Sequence, residues 1–129
     1  MQLDAKVDAE TFRKRAAEDL EIMEMCRLNG HAPYGPMCFH SQQYAEKCIK
    51  AKLLDIGITP PRIHDLLALS KLLPTSDAQE KILRNAALLT PYAVEVRYSS
   101  AVSEVSYPEE EAHEAYEAAI EFVELLENI

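Results

Sequence analysis

The stretch FHSQQYAEKCIKAKLL, residues 39–54, decides the fold because it predicts a long helix with two different faces. Polar side chains share it with a regular apolar stripe. His40, Gln43 and Lys47 are spaced three and then four residues apart, which places them on one helix face, and Tyr44 lies beside them. This polar face is either a solvated surface or a binding site or interface. The apolar stripe has the spacing that packs a helix on a core and consists of Phe39, Ala45, Cys48, Ile49, Leu53 and Ile56.

The remaining sequence predicts further helices on both sides of this segment. Asn29-Gly30 and Gly57 are helix stops, and Pro108 before three glutamates is a helix start. Pro91 predicts a kink or a short break. We therefore expect an all-α fold, an antiparallel up-and-down four-helix bundle with one additional short helix, in a single domain of residues 1–129. The predicted helices span residues 8–28, 36–56, 62–73, 77–97 and 108–127.

Two further local signals concern helix starts. Ser76-Asp77 offers an N-cap for the helix at 77–97, with Glu80 as a capping-box partner. Glu46 and Lys50, four residues apart, form an ion pair of favourable polarity on the central helix.

The charge of the chain is unevenly distributed. The net charge is −9, and residues 101–129 contain nine glutamates and no lysine or arginine. This balance argues against a protein that coats nucleic acid. It is still compatible with a basic or neutral surface formed by the middle of the chain. No run of 18 apolar residues is present and the N-terminus lacks an apolar signal region, so we expect a cytoplasmic protein without a membrane-spanning helix.

The sequence contains none of the common catalytic motifs. There is no phosphate-binding glycine loop, no HExxH and no GxSxG. Cys38 and His40 are two residues apart and point in different directions on a helix, so they form a poor metal pair. The three cysteines, without CxxC spacing, are expected to be reduced, buried thiols. We expect no metal site and no cofactor.

Two other segments carry candidate site residues. His64 and Asp65 begin the short helix, where the carboxylate stabilises the helix start and the imidazole can contact a neighbouring loop. Tyr92, Arg97 and Tyr98 lie near the end of the following helix. Arg97 is suited to bidentate binding of a phosphate or carboxylate, or else it forms a salt bridge with one of the many glutamates.

Four segments, in this order, resemble the HEPN family (higher eukaryotes and prokaryotes nucleotide-binding domains). They are AAEDLEIMEMC (16–26), FHSQQYAEKCIKAKLL (39–54), IHDLLALSKLL (63–73) and YAVEVRYS (92–99). The resemblance covers nearly the whole chain and implies a helical bundle that commonly dimerises. It also implies a connection to minimal nucleotidyltransferases, with which family members often form toxin–antitoxin pairs.

One departure from the family pattern concerns catalysis. Many toxic members of the family are RNases with an arginine followed by a histidine four to six residues later. Arg97 is followed by YSSAVSEVSY, without a histidine at that spacing, and His113 is too far along the chain. The usual Arg–His pair is therefore missing. A general base would have to come from His40, His64 or His113.

Three functional hypotheses follow. The favoured one is a non-catalytic module that binds a nucleotide or polyphosphate, or a partner nucleotidyltransferase, through its polar candidate residues. The second is a HEPN RNase toxin with a degenerate Arg–His motif, in which RNA is the substrate. The third is a structural homodimer that acts only by interaction, to which the acidic C-terminal helix contributes. The candidates are His40, Gln43, Lys47, His64, Asp65, Tyr92, Arg97 and Tyr98.

Overall fold

Two long helices joined by a short loop, α1 (Ala5–Leu28) and α2 (Tyr34–Asp55), pack against each other along their lengths. The computed structural model describes the backbone of residues 5–93 and 108–129, and the side chains of residues 9–93 and 108–129. The other helices are α3 (Leu66–Ser70), α4 (Gln79–Leu89), a 3-10 turn (Thr90–Ala93) and α5 (Glu109–Glu127). All regular structure in the described part of the chain is helical, so the predicted helical bundle with one short helix is confirmed.

Helix α2 is the centre of the bundle. It contacts α1 on one side and α5 on the other, and α5 in turn packs on α4. The shared core contains Ile49 and Leu53 of α2, Met23 of α1 and Phe122 of α5, all with no exposed surface. Small alanines along α5 allow α2 and α4 to approach it closely; Ala112, Ala115 and Ala119 are completely buried. α2 is therefore packed on two sides and can present only a narrow polar strip elsewhere.

The helix ends follow the predicted signals in most places. Helix α1 stops before Gly30, whose φ of +66° is available to glycine at low cost. Gly57 has a φ of +86° directly after α2. The predicted break at Pro91 is confirmed, because the 3-10 turn replaces the α-helix there and the Thr90 hydroxyl donates to the Ala86 carbonyl at 2.7 Å. Residues 94–97 of that predicted helix lie outside the described residues.

Two predictions about local structure are wrong. The short helix spans Leu66–Ser70 rather than 62–73, because Asp65 takes the N-cap position in extended conformation and the chain after Pro61 has not yet entered a helix. The Ser76–Asp77 cap does not form either. Ala78 occupies the N-cap of α4 without a side-chain hydrogen bond, and the Ser76 hydroxyl is buried without a partner.

The predicted apolar stripe of α2 is buried except at its two ends and at Cys48. Ala45, Ile49 and Leu53 are fully buried, whereas Phe39 and Cys48 are half-buried and Ile56 is 37% exposed. Ile56 is the C-cap residue, beyond the last turn that packs on α5, so its side chain points out of the core. In the described ranges, no helix has the length and apolar character needed to cross a membrane.

Candidate functional site

The polar side chains of α2 gather around two buried carboxylates. The first is Asp19 of α1, which is only 4% exposed. Its Oδ1 lies 2.7 Å from Nδ1 of His40, and its Oδ2 accepts a hydrogen bond from Nζ of Lys47 at 2.5 Å. His40 and Lys47 lie two helical turns apart on α2, so their side chains converge on one carboxylate. The arrangement joins α1 to α2 and holds both α2 side chains in position.

The second carboxylate, Glu46 of α2, is also 4% exposed. It accepts hydrogen bonds from Nζ of Lys50 at 2.9 Å and from Nε2 of Gln42 at 3.0 Å. Nδ1 of His64, in the loop before α3, lies 2.9 Å from the same carboxylate. The expected Glu46–Lys50 pair is therefore present, but it is buried and has two further partners.

Glutamine side chains extend the Glu46 cluster along α2. Nε2 of Gln43 donates to Oε1 of Gln42 at 2.7 Å, and Nε2 of Gln42 also donates to the backbone carbonyl of His64 at 3.2 Å. Gln42 is completely buried and Gln43 half-buried. We call the Asp19 and Glu46 clusters together the α2 polar network; its members are Asp19, His40, Gln42, Gln43, Glu46, Lys47, Lys50 and His64.

The two imidazoles of the network are held in the same way. Each directs Nδ1 at a buried carboxylate, which leaves Nε2 as the nitrogen not engaged by that acid. The two side chains differ in exposure, at 72% for His64 and 21% for His40. A carboxylate that fixes Nδ1 orients an imidazole for contact with another group. His64 is therefore the most accessible fixed polar side chain of the network.

The electrostatics of Glu46 agree with a charged carboxylate inside the bundle. Burial alone would raise its pKa, but hydrogen bonds from Gln42, His64 and Lys50, with the charge of Lys50, lower the pKa below its ordinary value. A buried carboxylate is stable only when paired and hydrogen-bonded. Glu46 meets both conditions, so its negative charge is part of the folded structure.

The other predicted site residues have different positions. Asp65 caps α3, its Oδ1 accepting hydrogen bonds from the backbone N–H groups of Leu67 and Ala68. Tyr92 packs against the core at the 3-10 turn. Arg97 and Tyr98 lie outside the described residues, so their predicted approach to the network stays a prediction.

Tyr44, expected beside His40, instead lines a separate groove. This groove lies between α1, α2 and α5, has a volume of about 370 Å³, and is also lined by Cys48 and Leu20. Burial raises the pKa of both Tyr44 and Cys48 to about 12. The three cysteines are free thiols, as expected. Within the described residues, no group of three or more metal-binding side chains comes together.

The sequence pattern predicts the pairing of Glu46 with Lys50 but neither the burial of that pair nor the role of Asp19. Asp19 lies in the segment AAEDL but was not connected to α2, because the partner of an acid on another helix is not encoded by helical spacing. Gln42 was passed over because it falls on the apolar side of α2. An unusual feature marks both Gln42 and Glu46: they are long polar residues within a buried stripe. Such residues require buried partners.

The comparisons with known proteins agree with this architecture. The HEPN domain family model matches residues 9–129. The crystal structure of an archaeal HEPN homologue is similar to the chain, with 32% sequence identity, a TM-score of 0.70, and coverage of 93% of this chain and 95% of that chain. A comparison with curated proteins finds no match. The fold and its match to the family model together show that this chain belongs to the HEPN family.

Proposed function

We propose that the protein is a non-catalytic HEPN module that binds the phosphate groups of a nucleotide or polyphosphate beside the α2 polar network. The observation that carries the proposal is the fixed, exposed imidazole of His64. Its Nδ1 is held by the buried Glu46 while 72% of the side chain faces solvent. Fixed donors lose little conformational freedom on binding, which favours affinity.

The charge of the network is compatible with an anionic ligand. The carboxylates of Asp19 and Glu46 are offset by the ammonium groups of Lys47 and Lys50, so the network carries no excess negative charge with neutral histidines. A phosphate group beside the network therefore meets no net negative charge from these four side chains.

Calorimetric titration with ATP, ADP and inorganic tripolyphosphate tests this proposal. We expect binding that weakens at least ~10-fold in His64→Ala, which corresponds to ~1.4 kcal/mol. Lys81→Ala is the matched control, because Lys81 is an exposed cation on α4 outside the network. No heat at millimolar ligand, or equal affinity of wild type and His64→Ala, would remove the proposed site.

We also propose that this surface binds a protein partner of the nucleotidyltransferase type, which the family resemblance implies. Co-expression with a minimal nucleotidyltransferase, followed by size-exclusion chromatography, tests this form of the proposal. A complex that is lost in His64→Ala supports docking at the network. Separate elution of the two proteins argues against it.

A second candidate function, RNA cleavage, is favoured by one observation. Both His40 and His64 are oriented through Nδ1 by a carboxylate, which is how a general base is commonly held. We rank this function second, because the family's usual Arg–His spacing is missing after Arg97. Induced expression in a bacterial host should give equal growth for wild type, His64→Ala and Arg97→Ala. Growth arrest by the wild type alone would establish the RNase alternative instead.

Homodimerisation, the third hypothesis, is favoured by exposed apolar side chains on α1. Met25 and Leu28 are 65% and 77% exposed and lie one helical turn apart. Such residues are enriched where helices meet a partner. We propose α1 as part of a self-association surface. Sedimentation at micromolar concentration should show a dimer that Met25→Lys weakens, and a monomeric wild type would refute this.

A further inference from the structure

A second polar cluster lies on the molecule apart from the α2 polar network and joins two distant parts of the chain. It contains His31, in the loop between α1 and α2, and His113, in the second turn of α5. Nδ1 of His113 lies 3.1 Å from Nε2 of His31, and the two rings meet edge to face with centroids 4.7 Å apart. His31 is half-buried and His113 is exposed, so the pair is reachable from solvent.

This nitrogen–nitrogen distance fits two kinds of contact. A hydrogen bond needs one ring N–H and one ring lone pair, so the two imidazoles share a single proton. A metal ion can take the place of that proton, because imidazole nitrogens bind Zn²⁺ at about 2.0–2.1 Å. Two such bonds across 3.1 Å enclose an angle of roughly 98°. That angle lies between the octahedral and tetrahedral values, and each lone pair must turn roughly 41° away from the nitrogen–nitrogen axis of a linear hydrogen bond to point at one ion.

The surroundings hold His31 in place. Its backbone has a φ of +71°, in the left-handed region that few residues other than glycine adopt. The ring of Tyr116 meets the His31 ring edge to face at 6.2 Å, and the Tyr116 hydroxyl donates to Glu24 at 2.5 Å. Glu24 also binds Nε of Arg27 at 2.7 Å. These contacts fix the ring before any ion arrives, as outer partners do in metal sites.

The local charge attracts cations. Two exposed glutamates follow His113 on α5: Glu114 is the next residue, and Glu117 lies four residues after His113. These glutamates line a shallow groove together with His113 and Glu121. A negative surface raises the local concentration of cations without itself binding them specifically. The two imidazoles supply the specificity, because they prefer Zn²⁺, Cu²⁺ and Ni²⁺ to the hard ions Mg²⁺ and Ca²⁺.

We propose that His31 and His113 form a two-imidazole chelate for a divalent transition metal of the Zn²⁺ type. Among the described residues no third His, Cys, Asp or Glu completes the set, so water fills the other positions. The ion joins the α1–α2 loop to α5 and stabilises the bundle from outside its core. The proposal is independent of the proposed nucleotide-binding function, because it shares no residue with the α2 polar network.

Titration of tag-free protein with ZnCl₂ and NiCl₂ tests the proposal, by calorimetry and by thermal unfolding. We expect one ion per chain and a higher Tm with metal. His31→Ala and His113→Gln should each weaken binding by more than the ~10–100-fold typical of losing an outer partner. Glu80→Gln is the matched control, since it removes an exposed metal-binding type of side chain on α4, away from the histidine pair.

Spectroscopy distinguishes this site from adventitious binding to other groups. The electron paramagnetic resonance spectrum of the Cu²⁺ form should show hyperfine coupling to two imidazole nitrogens, reduced to one in His113→Gln. Circular dichroism of each variant without metal confirms its fold. Absence of binding at 1 mM metal would leave the pair as a hydrogen bond only and overturn the proposal. Binding that survives unchanged in both single variants would overturn it equally.

Discussion

Neutralising Glu46 should destabilise the protein far more than neutralising a similar glutamate at the surface. The side chain of Glu46 is 5% exposed and that of its partner Lys50 is 10% exposed, with 2.9 Å between the charged atoms. At an effective dielectric constant of about 20, the gross attraction at this distance is roughly 6 kcal/mol. Most of this attraction is offset by desolvation, but removing one partner leaves a buried charge without compensation. We therefore expect Glu46→Gln to lower the free energy of unfolding by about 3–5 kcal/mol.

The chain contains its own control for this experiment. Glu80 and Arg84 on α4 have the same i, i+4 spacing, at 3.3 Å, but their side chains are 88% and 65% exposed. Exposed pairs of this kind contribute about 0.3–0.5 kcal/mol. Glu80→Gln should therefore change the free energy of unfolding by less than about 0.5 kcal/mol. The two glutamate variants differ mainly in burial, so their difference reports the contribution of burial.

Urea denaturation of a double-mutant cycle gives the decisive measurement. Lys50→Met is combined with Glu46→Gln, and Arg84→Met with Glu80→Gln. The double variant at Glu46 and Lys50 should be more stable than the sum of its single variants predicts, with a coupling of about 1.5–3 kcal/mol. A coupling no larger than that at Glu80 and Arg84 would refute the reasoning, because it would mean that burial does not strengthen the pair.

Four more predictions follow from contacts described above. Phe122→Ala, in the fully buried core of α5, should cost about 3–5 kcal/mol in urea denaturation. Asp65→Ala, which removes the cap of α3, should cost about 0.5–2 kcal/mol, whereas Asp65→Asn should retain most of the stability. The pKa of Glu46 is lowered in the folded state, so the charged carboxylate stabilises the protein above its ordinary pKa, and this stabilisation is lost as the pH falls through the folded-state pKa. The urea midpoint should therefore fall less between about pH 6 and pH 3 in Glu46→Gln than in wild type. The pKa of Cys48, raised to about 12, should make its alkylation at pH 8 about a thousandfold slower than that of a free thiol, as measured by mass spectrometry.

Much of the fold follows from local sequence signals. The spacing of apolar residues predicts the long helices, and Gly30, Gly57 and Pro91 mark where helical structure stops or changes. These features act within one or two helical turns, so a single sequence contains them. The cap of α4 was predicted wrongly because Ser76 and Asp77 both offer a side chain, and the choice between capping and another conformation depends on packing around the loop.

The candidate site was predictable only in part, for a physical reason. His40, Gln43 and Lys47 were found because they share a face of one helix. The connection of His40 and Lys47 through Asp19 depends on how α1 lies against α2, which is a tertiary property, whereas Gln43 bonds to Gln42. Tyr44, which follows Gln43 directly in the sequence, lines the groove between α1, α2 and α5, since neighbouring positions on a helix can face different partners.

The two contacts of Asp19 have a consequence for how the bundle finds its alignment. Because His40 and Lys47 are separated by seven residues, about 10.5 Å along α2, only one axial setting of α1 brings both to one carboxylate. A slide of α1 by one turn, about 5.4 Å, would separate the Asp19 carboxylate from at least one of these two partners. Asp19 thus sets the axial register of α1 against α2. An apolar replacement such as Asp19→Leu could maintain the hydrophobic packing and yet permit several alignments of α1, giving a collapsed protein that lacks a unique structure.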